Sequence, residues 1–175
     1  MSSKMYSSHV YFLANWFTST LNLMMYPLIT SSVSFWFLKM NDSSFENFMR
    51  WYLTLSLSTL QGSTYGFMFG IIYNDIESAA NVLSTIASCL TYTCGVYVNL
   101  KTGPWYIKFM GYISPFRYTC EKLMRILLRG LPYVDTICDN YAWTYDTQIT
   151  SINLIFLLVF FFIGWFVIVY KSKEF

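Results

Sequence analysis

Residues 154–170 read LIFLLVFFFIGWFVIVY, with no charged side chain and only aromatic polar groups. Together with Ile152 and Asn153 the run reaches about 28 Å at 1.5 Å per residue, close to the thickness of a bilayer's hydrocarbon core. It is apolar on every face, so it lacks the periodicity of a helix that shows one side to water. Lys171-Ser172-Lys173 closes it with a basic stop. Composition agrees: 55% of the chain is hydrophobic, 21% aromatic and 11% charged, against about 25% charged in ordinary soluble domains. Mean hydropathy is +0.43. Too few polar side chains remain to cover a water-facing surface, which argues against a soluble enzyme or a disordered linker. The expected fold is an all-α membrane protein.

Three wetter stretches join that run. Residues 10–40 are apolar, with Pro27 inside and serines and threonines at 30–34. They read as an interfacial lead-in over about 11–20 and a span over about 21–38 kinked at the proline. The next span covers about 51–73, uncharged but carrying Ser56, Ser58, Thr59, Gln61, Ser63 and Thr64; Asp75 and Glu77 end it. Another covers about 79–100, again uncharged. Residues 101–150 are different, with Pro104, Pro115, Pro132 and most of the basic side chains. Residues 104–114 are aromatic and too short to cross, as in a re-entrant or interfacial segment. After Ser114-Pro115, Phe116, Cys120, Leu123, Met124, Leu127 and Leu131 share one helical face, and Arg117, Glu121, Lys122, Arg125 and Arg129 the other. This predicts an amphipathic helix on the membrane surface, its charges toward water, followed by a polar outer loop to residue 150. The expectation is therefore four transmembrane helices (21–38, 51–73, 79–100, 152–170), a re-entrant segment and a surface helix before the last span.

Two small-residue patterns stand out. Gly62, Gly66 and Gly70 form overlapping GxxxG steps, which let another helix come near backbone contact; that helix belongs either to the same chain or to a second subunit. Ser84, Ser88, Thr91 and Gly95 fall on one side of their span. A polar stripe is costly against lipid, so it is expected to face other helices or a substrate pathway, although hydroxyls also satisfy themselves on the i−4 carbonyl. None of the four spans holds an ionisable Asp, Glu, Lys, Arg or His, which argues against a proton relay or ion-coupled carrier. His9, the single histidine, has no Cys, Asp or Glu nearby and reads as interfacial. Asn41-Asp42-Ser43 is a glycosylation sequon set close to the membrane.

Cys89, Cys94, Cys120 and Cys138 show no metal-binding spacing, and no metal site or catalytic residue is expected. Cys89 and Cys94 read as packed thiols. Cys138, in the polar loop, has Cys120 or a second chain as disulfide partner if that loop faces an oxidising compartment. There is no GxxxxGK[ST], no Ser/His/Asp set and no HExxH. A net charge of +2 gives no footprint for nucleic acid.

The stretch Gly95-Val-Tyr-Val-Asn-Leu, then Pro104-Trp105, then Tyr112-Ile-Ser-Pro-Phe-Arg-Tyr118 and Glu121, resembles the membrane domain of the G (White) subfamily of ATP-binding cassette transporters. Ser2-Ser3-Lys4-Met5-Tyr6-Ser7 followed by Tyr11-Phe12-Leu13-Ala14 resembles the end of that family's first intracellular loop and the start of its third helix. The resemblance implies that the four spans are helices three to six of a six-helix domain, so the chain is expected to be the C-terminal half of one. It implies an exporter of lipid, sterol or xenobiotic in a plasma or organelle membrane. ATP and Mg would be bound by a nucleotide-binding domain outside this chain, and a second transporter half would complete the assembly. Ser84, Ser88 and Thr91 would line the cavity, Val96 and Tyr97 would stand at the family's apolar plug, and Cys138 would link to Cys120 or across a dimer. Both termini would be cytoplasmic, against a plain charge count: only Lys4, Lys171 and Lys173 lie on the termini side, and the other eight of eleven basic residues lie opposite. The rival reading is a non-transporting four-span scaffold or accessory subunit.

Overall fold

The computed structural model describes residues 8–38, 44–73, 75–129, 132, 136–137 and 146–171. The side chain of His9, the Asn41–Ser43 sequon, Cys138 and most of the expected outer loop lie outside the described residues. Among those described, the helices are α1 (Ser8–Leu23), α2 (Met25–Phe37), α3 (Phe45–Ile72), α4 (Ile76–Tyr92), α5 (Trp105–Ile113), α6 (Pro115–Leu127) and α7 (Asp146–Lys171).

α1 and α2 part at Met24. Pro27 has no N–H to give the Leu23 carbonyl, so the helical ladder lapses one turn before the proline. Trp16 of α1 reaches Thr64 of α3 (3.4 Å), and Phe35 of α2 packs edge-on to Phe48 of α3 (5.3 Å). The partner number falls as the first rises, so α1 and α2 run as one antiparallel rod along α3. The expected lead-in is thus part of the bundle, and the break comes at Met24 rather than near residue 20.

α3 is the hub. Its 28 residues reach about 42 Å, and α1, α2, α4, α6 and α7 all pack on it. Ser44 caps it by accepting from the Asn47 N–H, and Glu46 complements the positive end of the helix dipole. α7 lies parallel to α3: Gln61 meets Asn153, and Tyr65 meets Phe160 one to two turns further along both helices.

α4 stops at Tyr92, eight residues short of the expected end of its span. Gly95 sits at φ +92°, in the left-handed region that glycine enters without a Cβ penalty. The chain then folds back so that Leu100, 3% exposed, lies under Gly95. α6 takes up the line that α4 drops. It starts at Ser114, whose hydroxyl donates to Leu90 of α4 (3.0 Å), and ends with Arg129 donating to Asn47 at the start of α3 (2.7 Å). α4 and α6 thus line α3 in succession. The break between α5 and α6 is local in origin: Pro115 holds Ser114 extended and then serves as the first residue of α6.

α5 meets the end of α4 with almost no clearance. A Cβ on Gly111 would lie 2.9 Å from the Thr93 carbonyl oxygen and 3.0 Å from Leu100. Gly111→Val is therefore expected to destabilise the protein by about 1–3 kcal/mol, seen as a lower thermal midpoint in detergent. An unchanged midpoint would mean that α5 does not rest on Thr93.

The α6 charges do not all turn toward water as expected. Arg117 and Glu121 are each 1% exposed, and Tyr118, Thr119 and Ile126 are buried with them, because α6 is wedged between α3 and α7. Glu121 accepts from Arg125 (3.5 Å), and the Arg117 guanidinium stacks 4.4 Å over the Tyr112 ring. Arg117 and Glu121 thus look inward, while Lys122 and Arg125 are half-buried and Arg129 is exposed.

Burial is inverted relative to a soluble core. Asn47, Thr54, Ser56, Gln61 and Thr64 of α3 are buried, while Trp36, Phe37, Ile76 and Trp105 are largely exposed. Ile149–Tyr170 of α7 is, among the described residues, the one helix long and apolar enough to cross a membrane, with 11% of its most apolar window buried. A soluble core helix of that hydropathy would be covered by protein. α3 is long enough but diluted by hydroxyls, amides and the Glu46–Arg50 pair, and α4 has only 17 residues.

Candidate functional site

The hydroxyl stripe of α4 lies on the outside of the bundle. Ser84, Ser88 and Thr91 are exposed, and each bonds back to its own helix: Ser84 to the Asn81 carbonyl (3.0 Å), Ser88 to Ser84 (2.7 Å) and Thr91 to Ala87 (2.7 Å). The stripe is therefore satisfied without a neighbour, and it joins no other helix of the described chain. Such a surface is uncharged and only weakly polar, since the hydroxyl protons are already spent on carbonyls. Where α4 ends, the backbone turn at Gly95 returns Tyr97 against Tyr92, with ring centroids 5.8 Å apart. Val96 and Tyr97 are 43% and 68% exposed. The structure thus brings Tyr97 against Tyr92 at the end of α4 and leaves Val96 exposed.

The three glycines of α3 make no tight contact among the described residues. A Cβ built on Gly62, Gly66 or Gly70 meets nothing within 4 Å. Gly66 and Gly70 instead form one wall of a cleft of about 510 Å³ between α1, α3 and α7, with Asn15, Ser19, Ser63 and Ile168 opposite or beside them. The Ser63 hydroxyl on that wall has no hydrogen-bond partner among the described residues. Asn15 and Ser19 recur at i,i+4 on α1, a signal the sequence carried but that an apolar lead-in reading passed over.

A second missed feature holds the bundle together. Gln61 Nε2 donates to the Asn153 backbone carbonyl (2.8 Å) and side-chain oxygen (3.3 Å), with both residues buried. Gln61 is the one amide in a hydroxyl-rich span and Asn153 stands at the edge of an apolar run, which is the signal for an interhelical clamp, but no local pattern names the partner of either. Among the described residues no group of three or more His, Cys, Asp or Glu is placed to hold a metal. Cys89, Cys94 and Cys120 are free thiols. The Cys120–Cys138 pairing falls partly outside the described residues. Cys94 lies beyond the end of α4 and is buried, Cys120 is half-buried on α6, and Cys89 is exposed.

An all-helical bundle with exposed apolar faces and an uncharged outer stripe fits many membrane proteins. A specific likeness decides among them: residues 1–128 match the family described as ABC-2 type transporter. The chain belongs to the ABC-2 type transporter family. The match runs from before α1 to the end of α6, so it includes the α4 stripe, the Gly95 turn and the buried charges of α6. α7 follows the matched region and packs on both α3 and α6, which makes it part of the same bundle. As an ABC-2 membrane domain, this chain is the membrane part of an ATP-binding cassette transporter, a type that works in a bilayer together with a nucleotide-binding domain.

Proposed function

We propose that the chain is part of the membrane domain of a G (White) subfamily exporter that moves a lipid, sterol or other apolar or amphipathic molecule. The observation that carries this reading is the exposed, uncharged face of α4, which presents Ser84, Ser88 and Thr91 and ends at Val96 and Tyr97. Hydroxyls bound to their own helix, with the Tyr92 and Tyr97 rings at its end, offer dispersion contact and a few weak hydrogen bonds, and no charge to hold an ion. The segments 21–38, 51–73, 79–100 and 152–170 are proposed as its four membrane crossings. In that scheme the end of α1 with α2 makes the first, and α4 with the connection to Leu100 the third. Both termini are placed in the cytoplasm.

The chain's own residues offer no phosphate-binding loop. ATP and Mg are therefore assigned to the nucleotide-binding domain, whose binding energy draws two transporter halves together and switches access to the α4 face. The glycine face of α3 supports the two-half arrangement, since its open Cβ positions leave room for a helix of another segment or subunit. Gly66→Leu should then leave the fold intact, because a Cβ there meets no atom of the described residues and faces the cleft, while lowering cross-linking between halves several-fold. Undiminished cross-linking would remove the interface.

The transport reading is tested with the protein and its nucleotide-binding domain in inside-out vesicles. Uptake of a fluorescent sterol or phospholipid analogue with MgATP, lost when ATP is withheld, is expected. Stable expression with no ATP-dependent movement of sterol, phospholipid or xenobiotic probes would favour the non-transporting scaffold.

A further inference from the structure

Arg50, Leu53, Thr54 and Leu57 recur at i, i+3, i+4 and i+7 on α3 and form one wall of a pocket of about 160 Å³. Lys122 of α6 and Thr150 and Asn153 of α7 close it. Two cations thus meet over a space walled by three helices, none of them α4. Arg50 keeps an exposed ion pair with Glu46 one turn earlier, and Lys122 is half-buried. Asn153 is 2% exposed. Gln61 engages both of its oxygens, so what Asn153 has left to offer the pocket is its Nδ2 hydrogens. Thr54 gives its hydroxyl proton to the Arg50 carbonyl (2.8 Å) and serves as wall. Among the described residues no carboxylate lines the pocket. Its volume equals that of about five waters at roughly 30 Å³ each, which admits a phosphate with its oxygens and excludes a nucleotide or a sugar.

We propose that this pocket holds the phosphate of an anionic phospholipid, kept as a resident lipid rather than moved as cargo. Arg50 and Lys122 meet the phosphate from two helices through charge-assisted hydrogen bonds, and Asn153 Nδ2 donates a third. The course of the walls decides for a lipid over a free anion. Past the cations α3 continues as Leu53, 53% exposed, and Leu57, and past Asn153 α7 continues as Leu154 and Leu157. The two helices run parallel, so both pass from polar to apolar in the same direction. An acyl chain gains contact along that course, and inorganic phosphate gains none. A choline headgroup would bring a third cation beside Arg50 and Lys122, so the pocket favours a headgroup of net negative charge. Binding here does not depend on the α4 face or on transport.

The test titrates the full chain, delipidated in neutral detergent, with dioleoylphosphatidylglycerol, dioleoylphosphatidylcholine or inorganic phosphate, and reads bound lipid by native mass spectrometry. Phosphatidylglycerol is expected to bind at least about tenfold more tightly than phosphatidylcholine, and inorganic phosphate at equal concentration should not displace it. The double variant Arg50→Gln/Lys122→Gln should lose that preference. Lys101→Gln/Lys108→Gln removes the same charge outside the pocket and should keep it. Thr150→Phe fills the pocket from an exposed position without changing charge. It should lower phosphatidylglycerol binding about tenfold and leave the thermal midpoint of the lipid-free chain unchanged, which keeps the outcome readable if the double variant folds poorly. Equal binding of the two lipids, equal losses in the two charge variants, or full binding by folded Thr150→Phe would overturn the proposal. So would displacement by inorganic phosphate, which would make the pocket a free-anion site.

Discussion

Glu121→Ala is expected to lower stability by about 3–5 kcal/mol, since truncating one member of a buried charge group leaves its partners uncompensated in a low dielectric. Glu121 is 1% exposed on the inner face of α6; it accepts from Arg125, and Arg117, also 1% exposed, lies one turn before it. At roughly 2–4 °C per kcal/mol for a chain of this size, the thermal midpoint in detergent should fall by about 6–20 °C. The Glu46–Arg50 pair supplies the control, because those side chains are 68% and 43% exposed. Glu46→Ala should cost less than about 1 kcal/mol. Equal small shifts for the two variants would show that the charged face of α6 is solvated after all. Glu121→Gln should fall between them, keeping the shape and a hydrogen-bond acceptor but losing the charge.

Ser88→Trp should abolish or strongly reduce transport by the assembled protein, at least about tenfold, without lowering its amount in the membrane. The structure separates the two effects. Ser88 is exposed and its hydroxyl serves only its own helix, so an indole there displaces no packed atom and stability should stay within about 0.5 kcal/mol. A substrate path along the α4 face would lose the volume of a large ring. Ile86→Trp, about 160° away around the helix, is the control and should transport normally. Wild-type transport by Ser88→Trp would take the α4 face out of the pathway.

The two variants sit on features that were legible in the sequence to different degrees. The α4 stripe was visible as hydroxyls at helical spacing, and its outward position follows from back-bonding, which frees it from needing a neighbour. The end of α4 was not visible, because Gly95 is as compatible with a helix interior in lipid as with a turn. Only the fit of Leu100 beneath it selects the turn. The α3 glycines showed that some helix could approach, without saying which one. Gln61 and Asn153 were each noticeable as isolated amides, yet their pairing spans 92 positions of sequence.

By itself the sequence determined that residues 154–170 form a helix apolar on every face, that Pro115 starts a new helix, and that α6 has one charged and one apolar side. It also carried the motifs of the membrane family to which the chain belongs. The tertiary structure alone decided which way α6 faces. A helical pattern defines two faces but not the medium each one meets. In water the apolar side would turn inward. In this bundle apolar surface is tolerated outside, and α3 and α7 enclose Arg117 and Glu121, where ring stacking and an ion pair offset part of their desolvation.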